Sequence, residues 1–187
     1  MLLVYAVIAA VLIGYIKGGR LVNYVDQPLE MVYLPALAFM IEASFGLMYK
    51  YVSLPPSEWL CWAVRLEYLL LALFILSNWR RTGMKMLGFA TLANFVVIAV
   101  NDFRMPVSPF VYDYPNLAGL VARIQSGELM EYVLVGWDGP LWYMGDTIPM
   151  FGGLASVGDI LMAIAMIQLI PGLMKKKRRK KKSPESV

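Results

Sequence analysis

Carboxylate, amide and guanidinium side chains interrupt otherwise apolar segments at a few positions of this chain. If those segments cross a bilayer, each charge at mid-depth costs a few kcal/mol, so such residues usually face protein or water and pair with one another. Groups of this kind can bind a cation, exchange a proton or form an ion pair. The candidates for such a polar site are Glu42, Arg65, Glu67, Asn94, Asp146 and Asp159.

The dipeptide Gly-Asp occurs twice in the stretch "GDTIPMFGGLASVGD" at 145–159. Asp146 lies among aromatic and polar residues, whereas Asp159 lies inside an apolar run that ends at Leu173. We therefore expect Asp146 at the rim and Asp159 at the floor of one outward-facing vestibule. Arg65 is the cation within the spans, and its expected partner is Asp159 or Glu42. An ion-pair network that only fixes helix register, or a groove that docks a partner, would produce the same pattern.

Several kinds of site are excluded by composition. The chain has no His and a single Cys, Cys61, which rules out an internal disulfide, a Cys/His zinc site, His-ligated haem and a His-based triad. No nucleotide-binding motif and no credible nucleophilic Ser motif is present, so we predict no catalytic residue, no cofactor and no metal. A membrane enzyme that uses Asp146, Asp159 and Glu67 as an acid/base or oxygen-ligand set is the alternative.

The elements that must position these residues are membrane-spanning helices. Hydrophobic residues make up 59% and charged residues 16% of the 187, and the mean hydropathy is +0.61. A span needs about 20 apolar residues. The sequence predicts an all-α polytopic bundle with five spans and one domain over 1–174. The first span is expected to be an anchor, because it lacks the features of a cleaved signal. The spans are approximately 1–16, 31–52, 57–78, 84–101 and 154–173.

The distribution of Lys and Arg predicts the orientation. The polybasic tail at 175–187 is expected in the cytoplasm, which places the N-terminus outside after five crossings. The loops at 17–30 and 78–83 then fall inside and carry Lys17, Arg20, Arg80 and Arg81. Lys175 to Lys182 are expected to contact anionic lipid headgroups, and no nucleic acid partner is expected.

The outer loop at 102–153 is predicted to form a lid of short amphipathic helices. In the segment 115–127, a helix would bring apolar residues onto one face. Asn101, Asp102 and Arg104 form a rim loop after the fourth span, in which Arg104 is a candidate partner of Asp146. The apolar residues of the lid helix are Leu117, Leu120, Val121 and Ile124.

A stripe of small residues recurs at every fourth position of the first span. Such a stripe allows close packing of a second helix, either within the chain or from a homodimer or another membrane protein. The stripe consists of Ala6, Ala10, Gly14 and Gly18.

The order of four short motifs resembles an uncharacterised family of small, five-helix bacterial integral membrane proteins. The family pattern has a Gly-Gly-Arg-Leu-like break, an Asn-Gly-x-x-Met-Pro-Val turn and a Gly-Asp-x-Ile-Pro…Ser-x-Gly-Asp entry to the last helix. This chain has Asp102 where that pattern has Gly. The resemblance implies the membrane class, a bacterial cytoplasmic (inner) membrane and this topology, but no substrate. The motifs fall on 18–21, 101–107, 145–149 and 156–159.

These observations favour a non-enzymatic membrane protein. It would act either as an accessory subunit, or by binding a small polar ligand in its vestibule. The alternative is an ion-coupled small-solute transporter or channel component in which Glu42, Glu67 and Asp159 titrate or bind a cation. Five spans without an inverted repeat are unusual for such a transporter unless it dimerises.

Overall fold

The computed structural model describes residues 2–51, 57–150 and 153–176. The described part of the chain is mostly helical, and its long helices coincide with the segments that the sequence predicts as spans. In chain order the helices are α1 (Leu2–Ile16), α2 (Tyr33–Tyr51), α3 (Ser57–Ser77), α4 (Met84–Ala99), α5 (Ala118–Gln125) and α6 (Val157–Met174).

The long helices pack as a trio and a hairpin. Helix α6 lies between α1 and α4, and α2 packs mainly against α3. Away from the lid, a hydrophobic cluster joins the hairpin to the trio through residues such as Leu34, Phe74, Leu87 and Leu169. A second cluster lies on the lid side and includes Phe45 and Leu60. The bundle is therefore closed by apolar packing on the side opposite the lid.

The lid contains strands as well as helices, so the prediction of an all-helical lid is wrong. Strands β1 (Met105–Val107) and β2 (Tyr132–Leu134) pair in parallel, and β3 (Ile148–Met150) and β4 (Gly153–Ala155) pair antiparallel. Each strand has only three residues, which is too short for a period-2 pattern to stand out. The lid adds 3₁₀ turns at Pro109–Asp113, Pro115–Leu117 and Trp142–Met144.

The lid has its own hydrophobic core, to which α5 contributes. Leu117, Val121 and Ile124 are buried there against Val107 and Val111. Leu120 is partly buried at the edge of this cluster. The amphipathic face predicted for this segment is confirmed, and it packs on the lid itself.

The small-residue stripe of α1 faces α6 within the chain. Ala6, Ala10 and Gly14 are buried, and a Cβ at Gly14 would overlap the side chain of Met174. Gly18 does not extend the stripe, because α1 has ended at Ile16. It instead adopts φ +75° and closes a Schellman turn, in which the Gly19 amide donates to the Gly14 carbonyl at 2.9 Å.

Helix α6 continues through Pro171 to Met174, beyond the predicted end of the span. A proline in the last turn lacks a backbone N–H donor, and the loop after α1 separately satisfies the carbonyls at the end of the helix. The Asn23 side-chain amide donates to the Met174 carbonyl at 2.7 Å, and the Gln27 amide donates to the Lys175 carbonyl at 2.6 Å. This loop forms a 3₁₀ turn at Leu21–Asp26.

Two helices of the described residues are long and apolar enough to cross a membrane, Trp59–Ser77 and Val157–Met174. Leu2–Ile16, Tyr33–Phe45 and Met84–Ala99 are apolar but shorter. At 1.5 Å per residue, a helix of 16 residues spans about 24 Å, against about 30 Å of hydrocarbon. Length and composition therefore support two spans and not the five predicted. The residues 177–187, with most of the polybasic tail, lie outside the described residues.

Candidate functional site

A cavity of about 280 Å³ lies between the lid and the lid-side parts of the long helices. Carboxylates from three helices and from the lid line it, together with the Asn94 amide and the phenols of Tyr68 and Tyr132. The rest of the wall is apolar and includes Phe45 and Phe103. The carboxylates in the wall are Glu42, Glu67, Glu131, Asp146 and Asp159.

Asp159 is held by the cap of α6. The Ser156 hydroxyl accepts a hydrogen bond from the Asp159 amide at 3.0 Å, and the Asp159 Oδ2 accepts one from the Ser156 amide at 3.1 Å. This reciprocal pair is a capping box. Asp159 therefore lies in the first turn of α6, because strand β4 occupies the start of the predicted span.

Asn94 joins α4 to the same cap. Its Nδ2 donates to Asp159 Oδ1 at 3.3 Å, and its Oδ1 accepts from the Ser156 hydroxyl at 3.0 Å. Gly158 lies opposite, and a Cβ there would overlap the Asn94 amide. The Ser-x-Gly-Asp sequence thus supplies a cap, a gap for Asn94 and a carboxylate fixed by two donors.

Asp146 is clamped to β1 through its backbone. Its amide donates to the Pro106 carbonyl at 2.9 Å, and its carbonyl accepts from the Ser108 amide at 3.1 Å. Gly145 permits this approach, since a Cβ there would overlap the Pro106 carbonyl. Asp146 is only 7% exposed, so the predicted rim position is wrong and this carboxylate belongs to the cavity wall.

Burial in the lid changes the protonation of the cavity. It raises the pKa of Asp146 to about 7, and the negative charge of Asp159 adds to that effect. Burial also raises the pKa of Glu131. At neutral pH the Asp146 carboxyl is therefore partly protonated, and a cation that enters the cavity would favour its charged form.

Glu131 and the two tyrosines of the wall were missed by sequence reasoning. Glu131 comes next to β2, and its carbonyl accepts from the Met105 amide at 2.7 Å. The parallel pairing of β1 with β2 brings Glu131 to the cavity, and no local pattern announces that pairing. Tyr68 follows Glu67 directly, so its place beside a candidate carboxylate was a usable signal.

Arg65 does not form the predicted ion pair. It is exposed, and its guanidinium lies 4.9 Å from the ring centroid of Trp62 and 4.3 Å from that of Phe103. The ion pair recorded in the described part of the chain joins Arg123 to Glu128 in the lid. Residues 65 and 67 differ by about 200° around a helix, so Glu67 reaches the cavity while Arg65 faces away.

The rim loop is structural. The buried Asn101 amide donates to the carbonyls of Val97 at 2.8 Å and Pro140 at 2.9 Å, which ties the end of α4 to the lid. Asp102 has φ +54°, a conformation that Asp adopts more readily than most residues other than Gly. The tight turn of the family pattern is therefore kept with Asp. Arg104 is partly buried and is not recorded in an ion pair with Asp146.

No cluster of three or more His, Cys, Asp or Glu side chains that could hold a metal ion occurs among the described residues. The cavity carboxylates belong to different helices and to the lid, and they are spread around the wall. The arrangement can attract and neutralise a positive charge, but it is not a preformed coordination sphere.

Comparison with known proteins identifies the family of the chain. Residues 26–171 match the Family of unknown function (DUF5317). No curated protein and no solved structure matches the chain. The match includes the Asn101 turn, both Gly-Asp pairs and every cavity carboxylate, whereas the glycine break at 18–21 lies before it. The chain therefore belongs to DUF5317, a family of unknown function.

Proposed function

We propose that the chain is an integral membrane protein with five spans that binds a small organic ammonium compound between its helices and its lid. The membrane part is supported by the apolar residues that the helices expose. On α1, for example, Val4 and Leu12 are each 57% exposed. A soluble monomer rarely exposes apolar patches of more than a few hundred Å². The shorter helices would be accommodated by local thinning of the bilayer.

The orientation is N-terminus outside and C-terminus inside, in a bacterial cytoplasmic membrane. Its support is the side on which the basic residues gather. Arg20 donates through its backbone amide to the Met174 carbonyl, and Arg81 donates to the Pro28 carbonyl at 3.1 Å, both on the side away from the lid. Lys175 follows α6 on that side. The positive-inside rule then puts this side in the cytoplasm and the lid outside.

The observation that carries the ligand proposal is the charge of the cavity wall. Five carboxylates line it, and the described residues of the wall include no Lys or Arg. Carboxylates gathered in a low-dielectric site repel one another, which a bound cation would relieve. The Asn94 amide and the phenols of Tyr68 and Tyr132 add neutral hydrogen-bonding groups.

An organic ammonium fits the wall better than a bare metal ion. The described carboxylates form no cluster fit for a metal, whereas aromatic residues such as Phe45 and Phe103 line the same cavity. Aromatic faces attract ammonium groups. The volume of about 280 Å³ lies near the lower end of ligand pockets, about 300 Å³. Because the carboxylates lie at different places in the wall, a short diamine could pair each of its two ammonium groups with a different carboxylate.

The role that follows is binding without catalysis. The chain would serve as a binding or accessory subunit that holds the ammonium compound near the outer surface. The support for this role is that the described residues of the wall include no Ser, Cys or Lys nucleophile.

Titration calorimetry of the detergent-purified protein with 1,4-diaminobutane tests this proposal. The neutral isostere 1,4-butanediol is the ligand control, and we expect binding of the diamine alone. Glu67→Gln should weaken binding by about tenfold or more, since a charge-assisted hydrogen bond contributes about 1.5–3 kcal/mol. Asp113→Asn removes an exposed carboxylate of the lid that is not in the cavity wall, and it should bind like the wild type.

Equal heats for the diamine and the diol would contradict the ligand proposal. The same holds if Glu67→Gln and Asp113→Asn have equal affinity. The membrane proposal has a separate readout, because recovery of the chain in the aqueous fraction without detergent would contradict it.

Ion-coupled transport is the second candidate, and the packing of the helices favours it. The α2–α3 hairpin carries Glu42 and Glu67, while the α1–α4–α6 trio carries Asn94 and Asp159. Movement of the hairpin against the trio would open or close the cavity between them. Proteoliposomes that accumulate radiolabelled 1,4-diaminobutane under an imposed pH gradient would support transport, and binding without accumulation would contradict it.

A further inference from the structure

A second, apolar cavity of about 500 Å³ lies between α3 and α4, and we refer to it as the groove. Its α3 wall follows a helical stripe with spacings of four and three residues, which runs from Arg65 to Leu76, and Trp79 follows just after the helix ends. Carboxylates line the first cavity, but the groove has none among its described residues. Its wall is formed mainly by Leu69, Ala72, Leu76, Phe89, Leu92 and Phe95.

The two ends of the groove differ in chemistry. Trp79 closes one end by packing against Gly88, where an added Cβ would lie 3.0 Å from the indole. Arg65 stands at the other end, next to Phe103, which follows α4. Arg65 therefore lies at the level where α4 ends on the lid side. The groove thus has an apolar wall along its length, the Arg65 cation at its lid-side end and the Trp79 indole at its other end.

The charge of Arg65 is available to an anion. The guanidinium rests on the rings of Trp62 and Phe103 at 4.9 and 4.3 Å, and no described carboxylate forms a recorded ion pair with it. Stacking on rings occupies the face of the guanidinium and leaves its N–H donors at the edge, where they can bind a phosphate.

The length of the groove matches one hydrocarbon chain. From Arg65 to Ser77, where α3 ends, the helix rises about 18 Å at 1.5 Å per residue. One leaflet of a bilayer contributes about half of the 30 Å hydrocarbon core. A lipid whose phosphate lies at Arg65 therefore has room for a whole acyl chain before Trp79.

We propose that the groove binds one anionic phospholipid of the outer leaflet, with its phosphate on Arg65 and an acyl chain along α3 and α4. This inference rests on the membrane-spanning part of the proposed function, but not on the ammonium ligand. Charge complementarity selects the occupant: the groove pairs one cation with an otherwise apolar wall, and an anionic lipid pairs one anion with an apolar chain. A partner helix would have no need of that cation.

Native mass spectrometry of the detergent-purified chain, titrated with phosphatidylglycerol or phosphatidylcholine, tests this. We expect the first phosphatidylglycerol to bind about fivefold tighter than phosphatidylcholine, the gain typical of one basic residue and an anionic lipid. Arg65→Gln should abolish that preference. Arg104→Gln, which removes a neighbouring arginine outside the groove wall, should keep it.

A second substitution tests the acyl-chain part of the proposal. Ala72→Phe fills the groove and should weaken the first binding event for both lipids, whereas Ala36→Phe on the exposed face of α2 should leave it unchanged. Thermal midpoints of all variants identify any that fail to fold, and Arg65→Lys, which keeps the charge, should retain a preference for phosphatidylglycerol.

Two results would overturn the proposal. One is equal lipid binding by the wild type, Arg65→Gln and Ala72→Phe. The other is competition by soluble glycerophosphoglycerol as strong as that by the intact lipid, which would indicate a simple phosphate site. Diamine binding is measured in a separate experiment, so the lipid result can be interpreted even if the ammonium proposal fails.

Discussion

At the scale of the residue, each Gly-Asp pair combines a missing side chain with a carboxylate. Gly145 lets the chain approach Pro106, and Gly158 lets α6 approach Asn94. The aspartate that follows each glycine then lines the same cavity. In both pairs, therefore, the glycine allows close packing of the backbone, and the aspartate that follows it places a carboxylate in the cavity wall.

Charge partners were the part of the site that sequence reasoning misjudged. Helical periodicity places Glu67 and Arg65 on different faces correctly, but it does not say which face meets another carboxylate. An apolar setting suggested that Arg65 needs a carboxylate partner. The rings of Trp62 and Phe103 supply a different solution, cation–π stacking, and Phe103 is brought there by a turn with positive φ.

We predict that Asp146→Asn flattens the pH dependence of stability. The Asp146 pKa is about 7 in the folded chain and about 3.8 as its ordinary value, so between these values only the folded state keeps the proton. The free energy of unfolding therefore falls as pH rises from about 4 to about 7, by up to roughly 4 kcal/mol, and is level above that range.

Thermal midpoints between about pH 4 and pH 8, in detergent, measure this effect. The wild type should lose stability across the range, Asp146→Asn should lose less, and Asp113→Asn should follow the wild type. A variant at Asp146 with the full wild-type slope would assign the dependence to other groups.

At the scale of the element, apolar composition predicted the positions of the long helices well. Helix ends were less accurate where strand pairing decides them, as at the start of α6: β4 pairs with β3, and the helix begins at Val157 and not at residue 154. The lid was the least predictable part, because its strands exist through pairing between segments far apart in sequence. Met105 pairs with Tyr132, for example, and three-residue strands carry almost no pattern of their own.

We predict that Gly158→Ala destabilises the contact between α4 and α6 by about 1–3 kcal/mol, the usual cost of overpacking. The added methyl group would overlap the Asn94 amide and disturb its hydrogen bonds to Ser156 and Asp159. Thermal unfolding in detergent measures the loss.

Gly119→Ala is the matched control for that variant. No atom lies within 4 Å of an added Cβ there, so the change should be neutral or stabilise α5 by up to about 1 kcal/mol. If both alanine variants behaved alike, the close approach of Asn94 to α6 would be contradicted.

At the scale of the whole molecule, the chain divides into a bundle and a lid with separate hydrophobic cores. The cavity lies where they meet, and Asn101 ties them together through Val97 and Pro140. Asp146 and Glu131 belong to the lid, whereas Glu42, Glu67 and Asp159 belong to helices. Neither part alone forms the site, which is why no single stretch of sequence reveals it.

We predict that the lid and the loop after α1 lie on opposite sides of the membrane. In a Cys61→Ser background, Gly119→Cys should react with a membrane-impermeant maleimide in intact cells, and Asp26→Cys should react only after permeabilisation. Labelling of both positions in intact cells would contradict the orientation.

The most direct test of the central claim is a solid-state NMR distance measurement on ¹⁵N-labelled 1,4-diaminobutane bound to protein with ¹³C-labelled Asp and Glu carboxyl groups. If the cavity binds the ammonium groups, carboxyl carbons should lie within about 4 Å of them, the range of an ion pair. The Glu67→Gln variant should then lose one of these contacts. Bound diamine without any nearby carboxyl carbon would contradict the claim that the cavity carboxylates form its binding site.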